Sequence, residues 1–182
     1  MTTALLVIDM QIGLLEGERP VYHAAPLIER IHRLSEHARS AAIPVIYVQD
    51  DDVGPVGEPG WQLHPALAVP ADAMILRKKY ADSFYHTPLQ DLLGDLGVTA
   101  LVVAGCATDA CIEMTCRRAV SLGYDVTLVA DGHSTHDNSF MPAPQSIKYY
   151  NLVLDGFGGE DGFGAGVHSI SVVPADEISF AG

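Results

Sequence analysis

The chain is poor in cysteine and in basic residues, and it has no long uninterrupted apolar stretch. Three cysteines among 182 residues, at irregular spacing, do not make a disulfide framework. Ten Lys and Arg residues against 23 Asp and Glu give a net charge of −13, which argues against nucleic acid and anionic membranes as partners. No run approaches the roughly 18 apolar residues of a membrane span, and no basic leader precedes the first strand. We therefore expect a cytoplasmic protein.

What the chain has is a regular alternation of strand and helix patterns. Apolar residues make up 48% of it and the mean hydropathy is +0.20, which favours one compact domain over residues 1–182. Short apolar runs predict six strands, and the segments between them carry helical periodicity or turn residues. The predicted strands are 4–8, 43–49, 73–77, 101–105, 125–131 and 168–173. The predicted helices are 25–42, 87–93, 108–123 and 142–154.

This alternation predicts an α/β fold with three layers, α/β/α, around a doubly wound parallel sheet of six strands. With the common strand order 3-2-1-4-5-6, the first and fourth strands are neighbours where ligands bind such sheets. The glycine-rich stretch 156–166 precedes the last strand and is expected to be a flexible connection. It lacks the Lys-Ser/Thr ending of a phosphate-binding loop, so it does not predict a nucleotide site.

Three residues at predicted strand ends carry reactive groups. Asp9 follows the first strand and Lys78 follows the third, with Lys79 beside it as a competitor. Thr108 is placed as the N-cap of the helix after the fourth strand, so Cys111 falls in the first helical turn. A helix N-terminus favours thiolate over thiol, which would make Cys111 nucleophilic, although cysteine also commonly packs as a small apolar residue. The packing role is the interpretation for the other two cysteines, Cys106 and Cys116.

Two other clusters contain residue types that commonly bind metals, but their spacing does not favour a metal site. Asp50, Asp51 and Asp52 follow the second strand, and His64 lies in the loop beyond. Adjacent residues of an extended chain point in alternate directions, so three consecutive carboxylates seldom converge on one ion. We interpret this segment as a binding loop. His133 and His136 have no third ligand nearby in sequence, and they are assigned to a structural or pocket-rim loop.

Taken together, these motifs resemble the isochorismatase-like cysteine hydrolases. The resemblance rests on Val7-Ile8-Asp9-Met10-Gln11, on Lys78 six residues before Phe84, on Gly105-Cys106-Ala107-Thr108-Asp109-Ala110-Cys111, and on the segment 119–124. It covers nearly the whole chain, and the motifs occur in the order of the family. It implies the same three-layer fold, and a homodimer or homotetramer is expected.

The resemblance also implies the roles of individual residues. Asp9, Lys78 and Cys111 correspond to the catalytic triad, and the family's cis peptide bond falls between Cys106 and Ala107. The backbone N–H groups of Ala107 and Cys111 correspond to the oxyanion hole. By this likeness Cys111 attacks a carbonyl carbon, Asp9 takes its proton, and a thioester is formed and then hydrolysed. No cofactor is implied.

The substrate class follows from departures within the family. The nicotinamidase branch has an Asp-x-His and a further His that bind a metal, whereas this chain has Asp50-Asp51-Asp52, so we expect no metal. The retained cysteine favours a small amide of the carbamoyl or ureido type. The alternatives are vinyl-ether hydrolysis, as in the isochorismatase branch, and a non-catalytic thiol protein that binds a small molecule or senses redox state. Candidate pocket residues are Trp61, Tyr80, Phe84, His133 and Phe140.

Overall fold

A computed structural model describes residues 2–159 and 166–180. Most of the glycine-rich connection predicted at 156–166 therefore lies outside the described residues. The six predicted strands form one parallel sheet in the order β3-β2-β1-β4-β5-β6, which confirms the predicted topology. The strands are β1 Thr3–Ile8, β2 Val45–Asp50, β3 Met74–Lys78, β4 Ala100–Cys106, β5 Asp125–Ser134 and β6 Ile170–Val173.

The helices cover both faces of this sheet, as predicted. They are α1 Ile12–Leu15, α2 Ala24–Ser40, α3 Leu89–Asp95, α4 Glu113–Ser121 and α5 Ala143–Leu154. Residues of α1 and α2 pack on one face, and residues of α3, α4 and α5 pack on the other. Within the described ranges, no helix is both long and apolar enough to cross a bilayer.

The alternation of β1 shows why both faces are apolar. Ala4, Leu6 and Ile8 belong to the core under α3, α4 and α5, while Leu5 and Val7 belong to the core under α1 and α2. Successive side chains of a strand point to opposite faces, so a central strand buried on both faces reads as one apolar run. The two cores hold the carboxyl ends of β1, β2, β3 and β4 side by side.

Several local predictions need correction. Thr108 is not an N-cap: Ala107 occupies that position, and residues Thr108–Ile112 form a π-helical turn that leads into α4. The hydroxyl of Thr108 contacts His133 instead of the helix N–H groups. His133 is not in a loop, because β5 continues to Ser134 and pairs Gly105 with His133. The helix after Thr87 begins at Leu89, with Pro88 as its N-cap.

Candidate active site

Asp9, Lys78 and Cys111 meet at the carboxyl ends of the strands. Asp9 lies directly after β1, Lys78 is the last residue of β3, and Cys111 lies in the π-helical turn after β4. The Lys78 ammonium Nζ is 2.8 Å from Asp9 Oδ2 and 3.3 Å from Cys111 Sγ. The side chains of Lys78 and Asp9 are 0% and 1% exposed. An ion pair is therefore buried next to a thiol.

The backbone at two positions brings these residues close. Asp9 adopts a left-handed conformation with φ of 53°, which turns the chain sharply at the end of β1. On the adjacent β4, a Cβ atom at Gly105 would lie 1.9 Å from the carbonyl oxygen of Ile8. Only glycine permits this approach, and Gly105 also has a φ of 128°. The chain segments that carry Asp9 and Cys111 are therefore in direct backbone contact.

A second carboxylate, Asp50 at the end of β2, also binds the ammonium of Lys78. Its Oδ1 accepts a hydrogen bond from the N–H of Asp52 at 2.9 Å. Its backbone is held by the Gln11 side chain, which accepts from Asp50 N at 2.8 Å and donates to Asp50 O at 2.9 Å. Gln11 Nε2 also donates to the carbonyl of Trp61 at 2.8 Å. The orientation of Asp50 is thus fixed on both its backbone and its side chain.

Burial and charge together define the protonation of the ion pair. Burial raises the pKa of Asp9 to about 6, although the ammonium of Lys78 opposes this effect. Burial alone would lower the pKa of Lys78, but the neighbouring Asp9, Cys111 and Asp50 raise it well above its ordinary range. Near neutral pH the site therefore holds a charged lysine and an ionised aspartate whose pKa is close to neutrality.

The expected thiolate at Cys111 is not supported by this geometry. Burial raises the pKa of the Cys111 thiol above that of a free cysteine, and the negative charge of Asp9 raises it further. Lys78 lowers the pKa of this thiol, but by less than the other two effects raise it. The position of Cys111 at a helix N-terminus was the basis of the expectation, and desolvation outweighs it here. The resting residue is a thiol, so a base must remove its proton before it can attack.

One oxygen of Asp9 is available for that proton. Oδ2 of Asp9 binds Lys78, whereas no hydrogen-bond partner for the buried Oδ1 is found among residues 2–159 and 166–180. A carboxylate oxygen of Asp9, a carboxylate oxygen of Asp50 and the sulfur of Cys111 all lie within 4.8 Å of one another. A buried carboxylate oxygen without a donor is costly, and a protonated neighbour or a substrate N–H satisfies it.

The three consecutive aspartates diverge, as the extended-chain argument predicts. Asp50 binds Lys78, Asp51 forms a two-point ion pair with Arg77 at 3.0 and 2.8 Å, and Asp52 is exposed. His64 lies against Glu16, with its Nε2 3.0 Å from Oε1 of that residue. The carboxylates and His64 therefore do not form one metal site. The side-chain atoms that do converge are Asp9 Oδ2, Asp50 Oδ2 and Cys111 Sγ. They surround the ammonium of Lys78.

On its other side, the turn is anchored by neutral hydrogen bonds. The peptide bond between Cys106 and Ala107 is cis, at the position implied by the resemblance. The hydroxyl of Thr108 is 2.8 Å from Nδ1 of His133, whose Nε2 is 2.8 Å from Oδ1 of Asn151 on α5. We call Thr108, His133 and Asn151 the neutral chain.

The direction of the hydrogen bonds in the neutral chain can be assigned. Nδ2 of Asn151 donates to the carbonyl of Ala130 at 2.8 Å, so its Oδ1 faces His133. His133 Nε2 must then carry the proton, and Nδ1 accepts from Thr108. Burial lowers the pKa of His133 to about 4, which keeps the ring neutral. His133 is therefore a structural anchor of the turn in this structure.

The five candidate pocket residues occupy different environments. Phe84 lies in the core and stacks on Tyr124 with ring centroids 5.9 Å apart. His133 is buried in the neutral chain. Trp61 is half-buried: its Nε1 donates to Asp51 at 3.2 Å, and the Arg77 guanidinium lies 5.2 Å from its ring. Tyr80 is exposed on the segment after Lys78, and Phe140 is 91% exposed before α5.

The structure also separates the competing lysines and cysteines. Lys78 is buried against Asp9, whereas Lys79 is exposed. Cys106 and Cys116 are fully buried in the two cores, and Cys111 is half-buried. Asp50 and Gln11 are the residues whose roles at the site the sequence did not predict. The signal for Asp50 is its register: it pairs directly with Lys78 across β2 and β3.

Comparison with known proteins shows the family of the chain. A family model described as the isochorismatase domain matches residues 3–150, and the chain belongs to this family of hydrolases. It is similar to streptothricin hydrolase of Streptomyces noursei, with 36% identity over 80% of this chain and 53% of that protein. It thus spans about half of that relative. It is also similar to the ureidoacrylate amidohydrolase RutB of Methylobacterium radiotolerans, with 30% identity over 74% of this chain and 67% of that protein.

A solved structure supports the fold over nearly the whole chain. The crystal structure of an isochorismatase from Pseudomonas putida KT2440 has a TM-score of 0.83 and 27% identity, covering 97% of this chain and 90% of that one. Relatives of this chain therefore include both amidohydrolases and isochorismatases. The choice between amide hydrolysis and the isochorismatase reaction therefore depends on the residues of the site.

Proposed function

We propose that this protein is a cysteine amidohydrolase that cleaves a C–N bond of a small carbamoyl- or ureido-type amide. The observation that carries the proposal is the Lys78 ammonium, which lies within hydrogen-bond distance of both the Asp9 carboxylate and the Cys111 thiol in a buried cluster. Covalent hydrolysis of an amide needs a nucleophile activated by a base, and a fixed cation between the two stabilises the negative charge on either of them. The similarity to a ureidoacrylate amidohydrolase supports the same reaction type.

In the first half of the reaction, Asp9 accepts the proton of Cys111 as Sγ attacks the amide carbonyl. The oxyanion is stabilised by the backbone N–H groups of Ala107 and Cys111, each typically worth about 3 to 4 kcal/mol. Collapse of the adduct breaks the C–N bond, and the leaving nitrogen takes the proton from Asp9. The products of this half are ammonia or an amine and a thioester on Cys111.

In the second half, Asp9 removes a proton from a water molecule, which attacks the thioester. The carbonyl carbon gains the hydroxyl oxygen and the C–S bond breaks. Cys111 recovers its proton from Asp9 and the acid leaves. A base whose pKa is about 6 suits both halves, since it is ionised near neutral pH and yet accepts a proton readily.

The pKa directions also define the resting state. With the pKa of Cys111 raised and Asp9 ionised, the thiol keeps its proton until the carbonyl carbon is in place. Lys78 contacts both groups, so its charge stabilises whichever of them is negative as the proton moves. The lysine therefore remains a fixed cation and transfers no proton.

The test is the release of ammonia or amine from a panel of carbamoyl, ureido and simple amides, with ureidoacrylate, streptothricin and isochorismate included. We expect turnover of at least one amide and a mass increase at Cys111 when the reaction is quenched early. The Cys111→Ala variant should lose at least about a thousandfold in kcat/KM. The matched control is Cys116→Ala, which removes a buried thiol of α4 and should keep the activity.

Other outcomes would replace the proposal. Turnover of isochorismate alone, without a covalent adduct, would assign the vinyl-ether reaction. No turnover, together with Cys111 alkylation that is indifferent to Asp9→Asn, would favour a thiol protein without catalysis. Turnover that survives in Cys111→Ala would exclude the cysteine mechanism.

A further inference from the structure

We propose that Asp50 is a positioning residue of this site: its carboxylate shares the Lys78 ammonium with Asp9 and thereby sets the pH at which Asp9 accepts the thiol proton. This inference rests on the proposed function, in which Asp9 is the base. Asp50 touches neither the thiol nor, by this proposal, the substrate. It acts through the lysine that it shares with Asp9 and through its own negative charge, which lies within 4.8 Å of the Asp9 carboxylate.

The Lys78 ammonium has as many acceptors around it as it has N–H donors. A lysine ammonium has three N–H donors, and in this site three acceptors surround it: Asp9, Asp50 and Cys111. Each donor therefore has one partner. A single carboxylate would leave one donor unpaired in a buried site, and that donor would compete for Asp9 or for the thiol.

Asp50 is also built into the site. Its side chain is only 11% exposed, and the Asp52 N–H holds its other oxygen. The two hydrogen bonds with Gln11 fix its backbone, and Gln11 itself is fully buried. A solvated surface aspartate would not need this support.

The net charge of the cluster also depends on Asp50. Two carboxylates and one ammonium give the cluster one net negative charge while Cys111 is a thiol. Transfer of the thiol proton to Asp9 leaves that total unchanged, whereas loss of the same proton to solvent adds a second negative charge to a buried site. Asp50 therefore favours internal transfer to Asp9 over the release of a free thiolate.

The groups that face Asp9 come from four elements. They are Asp50 from β2, Lys78 from β3, Cys106 from β4 and Cys111 from the π-helical turn. Asp51 is paired with Arg77, away from the ammonium, and Asp52 is exposed. Of these groups, Asp50 is a negative charge that can be removed while base, cation and nucleophile are all retained.

The experiment compares Asp50→Asn with the matched control Asp52→Asn, which removes one negative charge from an exposed side chain two residues away. Two pH profiles are measured for the full chain: iodoacetamide labelling of Cys111, located by peptide mass spectrometry, and kcat/KM for an amide substrate. In Asp50→Asn we expect both the labelling midpoint and the acidic limb of kcat/KM to move to lower pH by about one unit. In Asp52→Asn both should stay in place.

The result that overturns the inference is a uniform loss of rate in Asp50→Asn with both midpoints unmoved, or an equal shift in the control. Asn keeps the shape and an acceptor oxygen, and Asp50→Ser provides a second neutral variant if Asn melts early. The labelling profile needs no substrate. If no amide is hydrolysed, the proposed function fails while the role of Asp50 is still decided.

Discussion

The turn that carries Cys111 lies between two buried polar groups of opposite character. On one side is the charged cluster, which we define as Asp9, Asp50, Lys78 and Cys111. On the other is the neutral chain of Thr108, His133 and Asn151. Both are buried, and both are hydrogen-bonded. Every group of the neutral chain keeps a fixed protonation state near neutral pH, whereas in the charged cluster burial brings the pKa of Asp9 to about 6.

The two groups therefore have different roles: the charged cluster holds the reactive side chains, and the neutral chain holds the turn in place. In the neutral chain, each hydrogen bond has one permitted direction, which fixes the turn against β5 and α5. In the charged cluster, the mechanism we propose moves a proton between Asp9 and Cys111 around a lysine that stays charged. The turn is thus held on the side where no group titrates near neutral pH, and the Cys111 thiol faces the side where the pKa of Asp9 is about 6.

The largest expected effect comes from removing the cation. Lys78→Met leaves Asp9 and Asp50 without their partner, which should cost about 3 to 5 kcal/mol of unfolding free energy at pH 8. The cost should shrink toward pH 5, because Asp9, whose pKa is about 6, becomes protonated. Urea unfolding at the two pH values measures it. Lys79→Met, an exposed neighbour, should change stability by less than about 0.5 kcal/mol, and an equal effect of the two variants would contradict the buried ion pair.

Asp9 in the charged cluster and His133 in the neutral chain should contribute to the pH dependence of stability with opposite signs. The folded protein holds the Asp9 proton more tightly than the unfolded chain, so its contribution grows by up to about 3 kcal/mol as the pH falls from about 6 toward 4. The folded protein holds a His133 proton more weakly. Its contribution of about 3 kcal/mol is present above pH 6.5 and is lost as the pH falls to about 4.

Single variants separate these two titrations. Relative to the wild type, Asp9→Asn should lose stability more steeply between pH 6.5 and 4.5, and His133→Asn should lose it less steeply. Chemical denaturation at four pH values in this range measures both slopes. Parallel slopes in all three proteins would show that neither group has the assigned pKa.

A smaller effect is expected from opening the neutral chain at one end. Thr108→Val removes the hydroxyl that donates to His133 Nδ1 and leaves a buried acceptor unpaired, at a cost of about 1 to 3 kcal/mol. The labelling midpoint of Cys111 should stay in place, because no charge is changed. Thr127→Val, at a half-buried position of β5, is the matched control. A shifted midpoint in Thr108→Val would mean that the two sides are not independent.

The smallest effect concerns Phe140, which remains a predicted pocket residue. It is 91% exposed, so Phe140→Ala should change the unfolding free energy by less than about 0.5 kcal/mol. If Phe140 lines the substrate site, KM for the best amide should rise severalfold while kcat stays near the wild-type value. Steady-state kinetics decide this, and an unchanged KM would remove Phe140 from the pocket.

The topology and the three central residues could be predicted because they depend on strong local signals. Apolar runs that end in Asp9, in Lys78 and in Gly105 place those strand ends correctly, and the strand order follows from general rules of parallel sheets. The contact between Lys78 and Asp50 could not be predicted, since it depends on the register of β2 and β3. A sequence does not show which of three adjacent aspartates points inward.

The protonation state of Cys111 was predicted wrongly for a related reason. The helix N-terminus is visible in the sequence, while the burial of the thiol and its distance from Asp9 are properties of the fold. The same applies to Thr108, which looks like an N-cap until β5 is seen to extend as far as Ser134 and present His133 to it. Local sequence patterns predicted where Cys111 and Thr108 lie along the chain. The protonation of Cys111 and the hydrogen-bond partner of Thr108 depend on residues that are distant in sequence.

The close approach at Gly105 has a consequence for redesign. Because Gly105 lies directly against the carbonyl of Ile8, the spacing between β1 and β4 is set by main-chain atoms. Substitutions of core side chains change the packing on the two faces of the sheet. They do not change the distance between β1 and β4 at Gly105, because no side chain lies between the two strands there. Changes to the surrounding side chains should therefore leave the backbone spacing between the strand ends that precede Asp9 and Cys111 unchanged. A substitution at Gly105 should not be tolerated by any such design.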